Sequence, residues 1–132
     1  MDKTLSLLGT FISNEFESKR LAVVLDRRLK MEIKSNLKLL DTTSWYNATD
    51  AYKLAVVQEL NTEALYEWLT FAERKGLTNE VEASLMNLYS KTTSLQSIAN
   101  LLSKFPDMNN LRIRTRISNL KKDLLESLKL LE

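Results

Sequence analysis

The chain has 132 residues, 44% of them apolar and 27% charged, and a formal net charge of +2. It holds two Gly, one Pro, no Cys and no His, against 26 Leu. Those counts fit a single domain over residues 1–132. They exclude disulfide frameworks, thiolate metal sites, histidine-dependent catalysis and glycine-rich phosphate loops.

Leu, Ala, Lys and Glu favour helix, whereas Val and Ile together occur ten times and two glycines are too few for a set of tight hairpins. The expected fold is all-α: an antiparallel four-helix bundle of long helices joined by short connections. The first helix should run from about Lys3 to Leu40. Leu5, Leu8 and Ile12 mark its first half, and Ala22, Leu25, Leu29, Ile33, Leu37 and Leu40 mark its second. Between them residues 13–20 are polar apart from Phe16. The helix is therefore either kinked or split near residues 13–20, or continuous with an exposed middle.

Asp41-Thr42-Thr43-Ser44 is rich in capping residues and marks a turn. A second helix is expected from about Trp45 to Lys75. Asn61-Thr62-Glu63 could end one helix and cap another, but Leu54, Val57, Ala64, Trp68 and Phe71 keep one apolar phase across it, so a continuous helix is expected there. Gly76 follows Arg74 and Lys75 as a C-terminal glycine should. The third helix begins at Thr78 or Asn79. It carries Val81, Leu85, Leu88, Thr92, Leu95, Ala99 and Leu102 at steps of three and four, and Pro106 stops it. The fourth runs from about Asp107 to Leu131, with Ile113, Ile117, Leu120, Leu124, Leu128 and Leu131 inward.

Charge is segregated along the chain. Residues 1–40 carry eight basic and five acidic groups, residues 41–90 three and eight, and residues 91–132 eight and four. On a helical wheel Arg20, Arg27, Lys34 and Lys38 form a basic stripe opposite the apolar face, open to nucleic-acid phosphates or an acidic partner. Arg112, Arg114 and Arg116 crowd the start of the fourth helix, where the dipole is already positive. They call for an anion, a partner's carboxylates or an internal acidic neighbour. Glu59, Glu63 and Glu67 form an acidic stripe on the expected second helix, and the simplest arrangement sets it beside a basic helix. Trp45 and Tyr46 flank a loop, as an aromatic contact site or as a cap on the core. Trp68 is expected in the core and Tyr66 on a flank.

No Glu-x-x-His pair exists, and Glu59 with Glu63 is a poor metal site, so neither metal nor cofactor is expected. No run of 18 apolar residues occurs. Leu5–Ile12 is interrupted by Ser6, Gly9 and Thr10 and followed by polar residues, so it reads as mature structure in a cytoplasmic protein. The function expected is non-catalytic: a helical regulatory module binding a partner protein or itself through helix faces, as an inhibitor or immunity-type protein does. Leu7, Leu21, Val24, Leu39, Leu101, Leu125 and Leu130 fall off the main stripes, which suggests a homo-oligomer. The alternative is a nucleic-acid-binding protein using the basic faces of the first and fourth helices.

Overall fold

The computed structural model describes the backbone of residues 3–41, 49–76, 79–105 and 113–132, with side chains from residue 19 onward within those segments. It is all-helical. Five helices follow in order: α1 Lys3–Leu40, α2 Asp50–Glu59, α3 Glu63–Arg74, α4 Glu80–Lys104 and α5 Ile113–Leu131. Among the described residues there is no strand.

The 38 residues of α1 form one helix, about 57 Å long. Residues 13–20 do not divide it. Glu, Lys and Arg are good helix formers, and no Pro lies in the segment. The expected second helix is corrected: it is two helices, α2 and α3, separated by Leu60, Asn61 and Thr62. Leu60 is extended, at φ −60 and ψ 137. An unbroken apolar phase does not require an unbroken backbone, and here partners from α1 and α4 hold the interruption open. Glu59 accordingly ends α2 while Glu63 and Glu67 lie on α3, so the acidic stripe is not continuous on one helix.

Local chemistry sets the other helix ends. The Thr49 hydroxyl accepts the Tyr52 N–H at 3.2 Å and caps α2. Asn79 Oδ1 accepts the Glu82 N–H at 2.9 Å and caps α4, as the sequence implied. Gly76 sits at φ 64 and its N–H donates to the Glu73 carbonyl at 3.1 Å, closing α3 in the left-handed manner that favours glycine. Thr92 and Thr93 lie within α4. Their hydroxyls donate to the carbonyls of Leu88 and Tyr89 at 2.8 and 3.0 Å, which satisfies them within the helix. Pro106 as a stop and Asp107 as the expected start of the fourth helix lie outside the described residues.

The core gathers Leu29, Ile33, Leu40, Val57, Leu65, Leu85, Leu88, Leu95, Ala99, Ile117, Leu120 and Leu124 from all five helices. Around it α1 packs on α3 and α5, and α4 packs on α2, α3 and α5. The order around the core is therefore α1, α3, α4, α5. One outward side is shared by α1 and α5, and the opposite side by α3 and α4. α1 and α3 run antiparallel, since Arg28 pairs with Glu67, Glu32 meets Ala64 and Asn36 meets Asn61.

Candidate functional site

The densest polar constellation is one that sequence reasoning missed. It surrounds the α2–α3 interruption. Thr62 makes no side-chain cap for α3. The free N–H groups of the first turn are taken from elsewhere: Glu63 donates to Asn61 Oδ1 at 2.9 Å, and Ala64 and Leu65 donate to Glu32 Oε1 and Oε2, each at 2.9 Å. A carboxylate from α1 thus caps α3, where the helix dipole also favours negative charge. Asn36, buried on α1, donates to the Asn61 carbonyl at 2.8 Å and accepts the Asn61 N–H at 3.1 Å. From α4, Gln96 Nε2 donates to the carbonyls of Leu60 and Val57 at 2.8 and 3.2 Å. The exposed backbone of the break is satisfied by three side chains on two other helices.

Burial holds the Glu32 carboxyl above the ordinary carboxylate range. The two N–H bonds and Arg28 pull it down, the neighbouring charge of Glu63 pushes it up, and desolvation prevails. The one readable signal was Asn36, three residues after Ile33 and four before Leu40, a polar residue at core spacing. Glu32 and Gln96 gave no sign, because their partners lie 32 or more residues away, whereas Asn61 belongs to a segment able to cap a helix and accepts the Glu63 N–H two residues on. The groove beside this cluster, of about 220 Å³, is shallow. Arg28, Glu32 and Glu63 line it, and both Glu32 oxygens are engaged by the backbone N–H groups of Ala64 and Leu65.

The expected surface residues fall into three groups. Arg20, Arg27, Lys34 and Lys38 are all exposed on α1. Val23, Arg27, Lys30, Met31 and Lys34 share a shallow depression of about 360 Å³. Arg114, on α5, reaches Asp50 at the start of α2 at 3.4 Å. The internal acid near the start of α5 is therefore Asp50 and not the acidic stripe. Glu67 pairs instead with Arg28 of α1 at 2.6 Å, so an acidic helix does lie against a basic one. Arg116 lines a cleft of about 240 Å³ between α4 and α5 with Ser90, Lys91, Ser94 and Asn119. Arg112, Trp45 and Tyr46 lie outside the described residues. Trp68 is half-buried against the core, and its indole N–H donates to Asp26 at 2.6 Å. Tyr66 is exposed, with its ring 6.0 Å from that of Tyr89.

Which helices are neighbours was not readable from the sequence, and it matters most for the basic residues. α1 and α5, the two basic helices, pack side by side. On α5, Lys121 pairs with Asp41 next to α1, and Asp123 pairs with Lys91 of α4 at 2.7 Å. Lys122, Leu125 and Lys129 are exposed on the outward flank beside Lys121. Glu126, four residues after Lys122, is exposed on the same face of α5. Arg27, Lys30, Lys34, Lys38, Lys122 and Lys129 form no ion pair with a described residue.

Among the described residues, no group of three or more carboxylates is placed to hold a metal ion, and no helix is long and apolar enough to cross a membrane. No protein-family model, curated protein or solved structure matches the chain.

Proposed function

We propose that this chain is a non-catalytic regulatory module that binds a partner protein or itself through helix faces, in the manner of an inhibitor or immunity-type protein. α1, the α2–α3 pair, α4 and α5 would serve as the four legs of an antiparallel bundle whose outer faces do the binding. The observation that carries this reading is the outward side of α1. Val23 and Met31 are 59% and 65% exposed there and share one depression with Arg27, Lys30 and Lys34, and with Asp26. Large apolar side chains that share one exposed surface are a feature of interaction sites. Affinity capture on the immobilised chain tests it, with each retained component identified and then titrated in pure form. The double variant Val23→Glu, Met31→Glu should lose at least about tenfold in affinity, a change of 1.4 kcal/mol, with an unchanged thermal midpoint. Equal retention by both proteins overturns the reading.

One observation favours a second reading, nucleic-acid binding: the two basic helices, α1 and α5, pack side by side. Under that reading Arg27→Ala with Lys34→Ala weakens duplex binding and flattens its salt dependence by up to about two phosphate contacts. An unchanged salt slope removes it.

A further inference from the structure

The outward side of α1 carries a pattern of its own. Arg20, Val24, Arg27, Met31, Lys34 and Lys38 follow at steps of four, three, four, three and four, and all six are exposed. That is the spacing of a coiled-coil seam, here running about 27 Å along the helix. One column, Arg20, Arg27 and Lys34, is cationic throughout. The other begins with Val24 and Met31, 49% and 65% exposed, and ends with Lys38. Between residues 19 and 40, every exposed charged side chain of α1 is a cation. The two acids of that stretch are half-buried off the seam, and each is engaged within the molecule. Asp26 accepts the Trp68 indole N–H, and Glu32 caps α3. On the α3 flank charge is mixed, since Glu63 shares a depression with Arg28 and Met31. Positive charge on the seam is thus concentrated in the first column.

Resting on the module reading, we propose that this seam takes an amphipathic α-helix of a partner protein, with a column of Asp or Glu against Arg20, Arg27 and Lys34 and apolar residues against Val24 and Met31. A seven-residue repeat on the partner keeps both columns in phase with α1 along the whole stripe. The same residues select against a second copy, because seam on seam sets four cations against four like charges. Nucleic-acid phosphates would meet the cations but leave Val24 and Met31 against a polar backbone. A membrane surface calls for a different distribution, with apolar residues on one face of the helix and cations on the other. Here both kinds alternate on one face.

Calorimetric titration of the full chain at ~50 mM salt tests the proposal. The probe is a synthetic peptide of about three heptads with Leu in one seam column and Glu in the other. It should bind at least about tenfold more tightly than a scrambled peptide of the same composition, and more weakly as salt rises. Arg27→Glu with Lys34→Glu should reject this peptide and accept the one in which Lys replaces Glu. Should that variant fail to fold, Arg27→Gln with Lys34→Gln removes the charge alone and should weaken the Glu peptide at least about twofold. Equal affinity for the patterned and scrambled peptides overturns the proposal, as does a charge reversal that leaves the preference unchanged. Tighter binding of a DNA duplex, or of vesicles of phosphatidylserine in phosphatidylcholine, assigns the stripe to phosphate and overturns it. A dimer of the chain alone that the peptide does not dissociate assigns the seam to a second copy and also overturns it. If the peptide is rejected while Val23→Glu with Met31→Glu still abolishes binding of a purified partner, only the acidic helix falls and the module reading stands. If that double variant binds the partner as the wild type does, the module reading fails and the proposal fails with it.

Discussion

α1 and the α2–α3 leg lie against each other and differ in one respect. α1 spans 38 residues without interruption, whereas its neighbour is cut by three residues into helices of 10 and 12. Both carry apolar residues at helical spacing. The difference lies in what surrounds them. Where the chain leaves helix at Leu60, its free carbonyls and N–H groups meet Gln96, Asn36 and Glu32 from two flanking helices. A break is tolerated where the polar groups it frees are satisfied. Helix continuity is thus decided by the neighbours of a segment as much as by its own residues.

The largest expected effect is on the packed face of α1. Leu29 is fully buried, and Leu29→Ala should cost about 2–5 kcal/mol by urea unfolding. Val23→Ala on the open face should stay within ~0.5 kcal/mol. Equal losses would mean that the exposed side chains of α1 are covered.

Next comes the break itself. Asn36→Ala leaves the Asn61 backbone unpaired in a part-buried site and should cost about 1–3 kcal/mol. Hydrogen exchange of α3 should quicken before that of α1. Uniform quickening would show that the interruption is not a separate unit. Ser127 supplies the opposite sign. Its hydroxyl is buried without a hydrogen-bond partner among the described residues. Ser127→Ala should therefore stabilise α5 by about 1 kcal/mol, read as a raised thermal midpoint; a loss of stability would reveal a partner.

The smallest effect concerns pH. Burial raises the folded-state value of Glu32, so on titrating upward the unfolded chain ionises first and the native carboxyl holds its proton longer. The stability this group contributes is full at acid pH. It falls as pH rises through the ordinary carboxylate range to the raised native value, and is level beyond. Glu32→Gln should remove that decline from the curve of stability against pH, while losing part of the α3 cap. A wild-type contribution that rises over the same window would reverse the assignment.

Much of the site was readable in outline. The basic stripe of α1 followed from spacing alone, and all four of its residues are exposed. The glycine at the end of α3 and the asparagine before α4 were legible because caps are local: the bonds they make lie within four residues. Glu32 as a cap, Asn36 and Gln96 as supports, and Asp50 as the neighbour of Arg114 were not, because each acts on a segment brought near only by folding.

What the sequence by itself determined is the helical class and most of the core face. Period, propensity and punctuation act over a few residues, and Leu29, Ile33, Leu85, Leu88, Ile117 and Leu120 lie where their spacing put them. What only the tertiary structure decided is that one expected helix is two, and that the two basic helices, α1 and α5, pack side by side while Glu67 of α3 meets Arg28 of α1. Those outcomes depend on which helices become neighbours. That choice follows from packing the whole set of apolar faces at once and leaves no trace in any single stretch of chain.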